Sequence, residues 1–212
     1  IHSPYWVSYP TMAELAGATP RIVHCDETVN FKLTPENLEK NLNSQSKVFL
    51  FCSPSNPTGF VYSAAELRAL ADVLLKFPRV CIITDDMYNR LMFNKTLVAP
   101  HILQVAPELR DRTVVINGGS KAYSMTGWRI GWAKKKEKII KAIGDFASQA
   151  TGASSSISQR AAEVALKTSE IDIHKTNVML KERLISALQK FKEVPTFKVF
   201  EPDGAFYLWI NI

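Results

Sequence analysis

Three short apolar runs of strand length constrain the possible fold more than any other feature of the chain. They are KVFLFC at residues 47–52, RVCIIT at residues 79–84 and TVVIN at residues 113–117. Nearly continuous apolar strands are typical of parallel sheets that are covered on both faces. Because helical patterns separate these strands over the first 133 residues, the sequence predicts an α/β protein with a three-layer αβα sandwich.

The segments between the three apolar runs contain residues typical of helix starts and of the buried faces of helices. Thr34 and Pro35 have the pattern of an N-cap and a first helical position. Ser63 and Glu66 form a capping-box pattern, and an apolar stripe follows at Leu67, Leu70, Ala71, Leu74 and Leu75. Further helices are predicted at residues 11–16, 135–150, 157–168 and 170–193, and further strands at residues 21–25, 128–133, 197–201 and 206–212.

The pattern changes from helices to strands after Pro195. This change predicts the start of a second, smaller α+β domain, since two strands alone would be marginally stable. We therefore divide the chain into a large domain, residues 1–168, and a segment of residues 169–212 that holds a connecting helix and the start of a small C-terminal domain.

Composition places the chain among ordinary globular proteins, with 46% hydrophobic and 22% charged residues and a formal net charge of +6. No apolar run approaches the roughly 20 residues of a membrane span, and no signal peptide opens the chain. The cysteines have neither CxxC spacing nor a nearby histidine cluster. We therefore expect a cytoplasmic protein without a metal site, a membrane segment or a nucleic-acid partner.

Polar residues stand at or just after the carboxyl end of each run. Asn56 lies in the SPSNPTG loop, Asp85 and Tyr88 lie in DDMY, and Lys121 and Arg129 lie in NGGSKAYSMTGWRIGW. Ligands of open α/β sheets bind outside the carboxyl ends of the strands, so these residues are candidates for one site. Each also has a structural explanation. The prolines around Asn56 could serve a turn, Asp85 could cap a helix before a core tyrosine, and Lys121 could be a solvated loop lysine beside a structural arginine.

The opening segment PYWVSYP, residues 4–10, places three aromatic side chains between two prolines. A packed loop would explain this composition. Aromatic side chains presented from a loop also stack on planar ligands, so Trp6 is a further candidate.

Pyridoxal 5'-phosphate is a cofactor that would use the whole set. Its aldehyde needs an amine, which Lys121 offers, and its ring nitrogen needs a carboxylate such as Asp85 to stay protonated. Its phosphate needs a cation such as Arg129. Its phenolic oxygen needs hydrogen-bond donors, which Asn56 and Tyr88 offer.

Together, PYWVSYP, SPSNPTG, DDMY and SKAYSMTGWRIGW resemble, in order and spacing, the class I aminotransferases of fold type I, and most of all the bacterial aspartate aminotransferase subgroup. The resemblance covers nearly the whole chain. It implies a large domain that binds pyridoxal 5'-phosphate, an amino acid and a 2-oxo acid as substrates, and a homodimer in the full-length protein.

The resemblance also implies roles for the candidate residues. Lys121 forms the Schiff base with the cofactor and transfers the proton, Asp85 holds the pyridinium proton, and Arg129 binds the phosphate. Tyr88 and Asn56 bind the phenolic oxygen. Trp6 stacks on the ring, and Trp6 and Asn56 also contact the substrate.

Parts of the family pattern are not found in these residues. The N-terminal arm, the small-residue phosphate loop and an aromatic from the partner subunit are expected before Ile1, and the arginine that binds the α-carboxylate is expected after Ile212. Gly118 stands where many relatives have a serine that contacts the phosphate. We therefore expect the 212 residues alone to bind the cofactor weakly and to lack turnover.

Three functions remain open from the sequence. The first is transamination between an amino acid, with aspartate preferred, and a 2-oxo acid, with 2-oxoglutarate preferred. The second is a cofactor-dependent C–S or β-elimination lyase on the same fold. The third is a non-catalytic fragment of a longer aminotransferase.

Overall fold

The three apolar runs form neighbouring strands of one sheet in the computed structural model, which describes residues 1–94 and 96–212. The strands are β1 (Val48–Cys52), β2 (Cys81–Asp85) and β3 (Thr113–Gly118), and they pair in parallel. A fourth strand, β4 (Gly131–Lys134), pairs with β3 in the antiparallel direction and completes the order β1-β2-β3-β4. The predicted α/β class is confirmed, with a mixed sheet.

The helices connect and follow these strands. They are α1 (Ser8–Leu15), α2 (Pro35–Asn41), α3 (Ala64–Leu75), α4 (Ile102–Val105), α5 (Glu137–Ala150), α6 (Ser156–Thr168) and α7 (Glu170–Phe191). Short 3₁₀ helices occupy Glu27–Val29, Pro107–Arg112 and Thr126–Trp128. Within the described residues, every helix is too short or too polar to cross a bilayer.

Both predicted helix starts are confirmed by their capping contacts. The Thr34 hydroxyl accepts a hydrogen bond from the Asn37 N–H at 3.2 Å. The Ser63 hydroxyl accepts from the Glu66 N–H at 3.2 Å, and the Glu66 carboxylate accepts from the Ser63 N–H at 2.7 Å. These bonds satisfy N–H groups that a helix start otherwise leaves without partners.

Helix α3 covers one face of the sheet with its apolar stripe. Leu67, Leu70, Ala71 and Leu74 are fully buried, in a cluster that also contains Phe49 of β1 and Ile82 of β2. Burial of one such side chain stabilises a fold by about 1.5–3 kcal/mol. The prediction is wrong for Leu75, which is partly exposed at the end of α3, and Val73 is buried instead.

Three of the predicted strands differ from the structure. The one predicted at residues 206–212 covers only Trp209–Asn211. Residues 21–25 form no strand, because Val23 makes only one parallel bridge, with His2, and a ladder needs several. The strand predicted at residues 128–133 begins only at Gly131, because Trp128 ends a 3₁₀ helix and Arg129 has a left-handed φ of 50° that interrupts extended backbone.

Helix α1 begins earlier than predicted, at Ser8 rather than at residue 11. Pro10 is therefore in its first turn, where a proline costs little because its missing N–H has no partner there in any case. The segment read as an aromatic loop is thus part loop and part helix.

The C-terminal residues form a hairpin whose turn docks against the loop after β1. Strands β5 (Lys198–Phe200) and β6 (Trp209–Asn211) pair in the antiparallel direction. Between them, the Asp203 and Gly204 N–H groups donate to the Gly59 carbonyl at 3.1 and 3.0 Å. Gly59 has a φ of +72°, and an added Cβ would lie 2.5 Å from the Pro202 Cβ, so this contact requires glycine. Docking brings Tyr207 to the carboxyl edge of the sheet.

Candidate active site

The parallel register brings the carboxyl ends of β1, β2 and β3 to one edge of the sheet. Cys52, the last residue of β1, pairs with Asp85, the last residue of β2. Asn56 follows shortly after β1, and Lys121 follows shortly after β3. Because β4 is antiparallel, its first residues lie at this same edge, and Arg129 precedes them.

A cavity of about 560 Å³ lies at this edge, a volume typical of small-molecule sites. Its lining contains the six residues predicted from the sequence: Trp6, Asn56, Asp85, Tyr88, Lys121 and Arg129. Ser120, Met87 and Tyr207 also line the cavity, although the sequence analysis did not select them. The fold therefore brings residues from the ends of different strands into the lining of one cavity.

Each carboxylate oxygen of Asp85 accepts one hydrogen bond. Its Oδ1 accepts from the Met87 backbone N–H at 3.2 Å, and its Oδ2 accepts from the Tyr9 hydroxyl at 2.6 Å. Two donors fix the plane of the carboxylate, and each oxygen keeps a second lone pair for another partner. Such a carboxylate is suited to hold a proton on a ligand nitrogen in the cavity.

Tyr88 is buried and has two polar neighbours at its hydroxyl. The Tyr207 hydroxyl lies at 2.5 Å, and the Asn56 side-chain amide donates over a longer distance of 3.5 Å. Burial, together with the hydrogen bond to Tyr207, raises the pKa of Tyr88, so the phenol keeps its proton. A phenol has one O–H, and the bond between Tyr88 and Tyr207 uses one of the two, so one phenol O–H and the second N–H of the Asn56 amide remain as donors for this part of the cavity.

The Lys121 ammonium faces aromatic rings in the cavity. Its Nζ lies 5.4 Å from the centre of the Phe206 ring and 5.9 Å from the centre of the Tyr88 ring. These distances are within the range of cation–π attraction. Phe206 and Tyr207 both come from the segment that follows the docked turn, so the C-terminal hairpin forms part of the surroundings of Lys121.

The positions of Gly118 and Ser120 indicate which hydroxyl could contact a phosphate in the cavity. A Cβ at Gly118 would lie 3.0 Å from the Ile130 carbonyl oxygen and 3.2 Å from the Met87 sulfur, so a serine there would require its neighbours to move. Ser120, two residues along, lines the cavity. Its hydroxyl is therefore the candidate for the contact that the sequence analysis expected to be missing at Gly118.

Arg129 lies in the cavity lining and is exposed. One of its guanidinium nitrogens, Nη1, donates to the Thr126 carbonyl at 3.1 Å, which anchors the side chain to the preceding 3₁₀ helix. A guanidinium has five N–H donors, so the anchored side chain retains donors for an anion in the cavity.

Asp86 follows the last residue of β2 and does not line the cavity. It is buried, with its Oδ2 3.3 Å from the His101 Nε2. Burial raises the pKa of Asp86 from 3.8 to about 7; a hydrogen bond from Thr84 opposes this rise, and the charge of Asp85 adds to it. The two adjacent aspartates therefore have different surroundings and different chemistry.

The raised pKa of Asp86 predicts a pH-dependent stability. The folded state binds a proton that the unfolded state releases, so this contribution is complete below about pH 4 and is lost as the pH rises to about 7. Asp86→Asn removes the ionisation. We expect its free energy of unfolding, relative to the parent, to rise by on the order of 4 kcal/mol between pH 4 and pH 8, at 1.36 kcal/mol per pKa unit.

Urea unfolding of the parent and of Asp86→Asn at several pH values measures this difference. Asp111→Asn is the matched control, because Asp111 is an exposed aspartate whose pKa is lowered by Lys136 rather than raised. A difference between parent and Asp86→Asn that stays constant from pH 4 to pH 8 would contradict the prediction.

Three aromatic residues at the site were missed in the sequence analysis. Tyr9 belongs to the same PYWVSYP segment as Trp6, and the Tyr9 N–H donates to the Trp6 carbonyl at 3.0 Å, so the aromatic composition of this segment was a usable signal. Phe206 and Tyr207 had no such signal, because only the docking of the 202–204 turn brings Phe206 near Lys121 and Tyr207 to the cavity lining.

Comparison with known proteins agrees with this geometry. The whole chain, residues 1–212, matches the sequence pattern of the family described as aminotransferase class I and II. This chain belongs to that family. Family members use pyridoxal 5'-phosphate, and the cavity described above has an amine, a carboxylate, phenolic and amide donors and a guanidinium that fit this cofactor.

Individual relatives are bacterial aminotransferases. The chain is 42% identical over 213 residues to the aspartate aminotransferase of Geobacillus stearothermophilus, covering 100% of this chain and 53% of that protein. It is 43% identical over 213 residues to the aspartate/prephenate aminotransferase of Cereibacter sphaeroides, again covering 100% and 53%. The chain thus spans about half the length of the curated relatives it matches.

The fold agrees equally well with a solved relative. The crystal structure of the aspartate aminotransferase from Rhizobium meliloti superposes with a TM-score of 0.94 at 37% identity, covering 99% of this chain and 52% of that one. The predicted fold type I, with the large domain of the class I and II aminotransferases, is therefore confirmed.

Proposed function

We propose that the protein carrying this chain is a pyridoxal 5'-phosphate-dependent aminotransferase, which moves an amino group between an amino acid and a 2-oxo acid. The observation that supports this most strongly is the convergence of Lys121 and Asp85, from the ends of different strands, on one cavity of about 560 Å³. An amine for a carbonyl and a carboxylate for a ring nitrogen are the two groups that this cofactor needs most.

Each residue has a role in this proposal. The bound cofactor supplies an electron sink for the electron pair left when the substrate loses its α-proton. Lys121 holds the cofactor through its amine and then moves the proton as a general base and acid. Asp85 keeps a proton on the ring nitrogen, while Tyr88 and Asn56 donate hydrogen bonds to the phenolic oxygen.

Three further residues complete the contacts. Trp6 stacks on the cofactor ring, and with Asn56 it also contacts the substrate. Arg129 binds the phosphate, and Ser120 offers a hydroxyl to the same group. All of them line the cavity, which supports assigning them to one ligand.

Aspartate is the proposed amino donor and 2-oxoglutarate the proposed acceptor. The support for aspartate is the name shared by the relatives from Geobacillus stearothermophilus and Cereibacter sphaeroides. The second of these names also includes prephenate, so prephenate is the first alternative acceptor to assay.

Covalent labelling tests the proposal directly. The protein is incubated with pyridoxal 5'-phosphate, reduced with borohydride, digested and mapped by mass spectrometry. We expect one labelled peptide, with the modification on Lys121, because Lys121 is the lysine in the cavity lining. Exposed lysines such as Lys138 and Lys141 serve as internal controls for non-specific reaction. A label spread evenly over surface lysines would contradict the assignment.

Product analysis then separates the reaction types. Incubation of the full-length protein that contains this chain with pyridoxal 5'-phosphate, aspartate and 2-oxoglutarate should give oxaloacetate and glutamate in equal amounts. Release of ammonia with pyruvate would identify an elimination enzyme instead, and the absence of both products despite a Lys121 label would identify a binding protein.

The proposal extends to domain division, assembly and location. A boundary at residues 168 and 169 is supported by the break between α6 and α7. A homodimer is supported by α5, which exposes Ile139, Ile143 and Phe146 along one face. A cytoplasmic location is supported by three free thiols, which are typical of reducing compartments.

A further inference from the structure

Tyr9 is a buried aromatic residue whose hydroxyl is directed at the candidate site. It lies in the first turn of α1 and is only 5% exposed. Its ring meets the Trp6 ring edge-on, with centres 5.5 Å apart and planes at 87°. Tyr9 thus contacts the proposed stacking residue with its ring while its hydroxyl reaches the end of β2.

The hydroxyl of Tyr9 donates to the Asp85 Oδ2 at 2.6 Å. Two residues 76 positions apart in the chain make this bond, so it depends on the packing of α1 against the strand ends. The other oxygen, Oδ1, accepts from the Met87 N–H at 3.2 Å. The Met87 backbone N–H holds one carboxylate oxygen. The Tyr9 hydroxyl holds the other, so it is the side-chain group that sets the rotation of the Asp85 carboxylate about the Cβ–Cγ bond.

The Tyr9 hydroxyl is the donor in this hydrogen bond. Burial raises the pKa of Tyr9, and the nearby Cys52 and Asp85 raise it further. The phenol therefore keeps its proton. Because an ionised carboxylate has only acceptors, the direction of this hydrogen bond is fixed from Tyr9 to Asp85.

We propose that Tyr9 is a positioning residue, which holds the Asp85 carboxylate in the orientation that faces the ring nitrogen of the cofactor. This inference rests on the proposed function and adds a residue to its machinery. Tyr9 is not itself a cavity-lining residue: its hydroxyl contacts Asp85 and its ring contacts Trp6, both of which line the cavity. A change that removes only the hydroxyl therefore isolates the effect transmitted through Asp85. Hydrogen bonds to charged groups are among the stronger ones in proteins.

Tyr9→Phe tests this role because it removes the hydroxyl and keeps the ring that packs on Trp6. We expect kcat to fall by about 10- to 100-fold, the range implied by loss of a hydrogen bond to a charged group. KM should change by less than about threefold, since the substrate contacts remain. The visible circular dichroism of the bound cofactor, which reports its orientation, should weaken.

Tyr5→Phe is the matched control. Tyr5 lies in the same opening segment and is half-buried, but within the described residues its hydroxyl makes no hydrogen bond. We expect its kcat, its cofactor spectrum and its unfolding midpoint to equal those of the parent. Equal kinetics for Tyr9→Phe and Tyr5→Phe would overturn the proposal.

A double-mutant cycle distinguishes positioning from a general structural role. If Tyr9 acts through Asp85, then Tyr9→Phe should change kcat by less than about threefold in an Asp85→Ala background, where the acceptor of the Tyr9 hydroxyl is absent. An undiminished loss in that background would show that Tyr9 acts by another route, and it would overturn the inference.

A cofactor-free measurement keeps this inference separate from the proposed function. The buried Tyr9 hydroxyl proton should give an exchange-protected proton resonance that is lost in Tyr9→Phe and shifted in Asp85→Asn. Absence of such a resonance from the parent would overturn the contact itself. Failure of Lys121 labelling with this resonance present would instead refute the proposed function.

Discussion

Lys121→Ala is expected to lose at least about 10⁴-fold in transaminase turnover, the upper range for removal of a group that acts as general base and acid. This corresponds to about 5 kcal/mol of transition-state stabilisation at 1.36 kcal/mol per tenfold. The physical reason is that alanine offers neither an amine to hold the cofactor nor a base to move the α-proton. Single-turnover kinetics with aspartate, followed by absorbance of the bound cofactor, measures the loss.

Lys138→Ala is the control, since Lys138 is an exposed lysine in α5. Its turnover should equal that of the parent. The unfolding midpoint of Lys121→Ala should stay close to that of the parent, because the Lys121 ammonium contacts the Phe206 and Tyr88 rings and, within the described residues, forms no ion pair or hydrogen bond. Turnover of Lys121→Ala within tenfold of the parent would show that another group transfers the proton.

Asp85→Ala is expected to lose about 10³-fold or more in turnover, or roughly 4 kcal/mol at 1.36 kcal/mol per tenfold. Without the carboxylate, the cofactor nitrogen loses its proton and the ring becomes a weaker electron sink. Asp86→Ala should cost much less, because Asp86 is buried beside His101 and outside the cavity lining. Steady-state kinetics of the two variants under identical conditions makes the comparison, and equal losses would refute the distinction between the two aspartates.

Asp85→Asn serves as a second variant that protects this comparison from a folding artefact. In Asp85→Ala the Tyr9 hydroxyl is left without its acceptor, and an unsatisfied buried donor costs about 1–3 kcal/mol of stability. In Asp85→Asn the amide oxygen still accepts from Tyr9, while the charge is absent. A large loss of turnover in both variants, with a small change in unfolding midpoint in Asp85→Asn, would assign the effect to the charge.

Short-range sequence patterns were sufficient to predict the strands that hold the site residues and two of the helix starts. The apolar runs predicted β1, β2 and β3, because a strand covered on both faces needs apolar residues at nearly every position. Thr34 and Ser63 predicted two helix starts, because the contacts of a helix cap lie within three residues. The same rules failed at residues 21–25, where strand composition is present but Val23 forms only a single bridge.

The candidate residues Lys121, Asp85 and Asn56 could be selected from sequence because each stands near the end of a predicted parallel strand. Parallel strands place their carboxyl ends at one edge, so position along the chain was enough to indicate proximity in space. The choice of Asp85 over Asp86 came from the resemblance, which implies a cofactor acid three residues before the tyrosine, as Asp85 is before Tyr88.

Tertiary structure alone decided which partners surround those residues. The Tyr9 hydroxyl meets Asp85 across 76 positions, and the Tyr207 hydroxyl meets Tyr88 across 119 positions. The second contact depends on docking of the 202–204 turn against Gly59, which no local pattern specifies. The sequence by itself thus determined the strands, the caps and the reactive groups, since these depend on neighbours in the chain. The orientation of Asp85 and the surroundings of Tyr88 depend on packing between distant segments, and only the folded chain defines that packing.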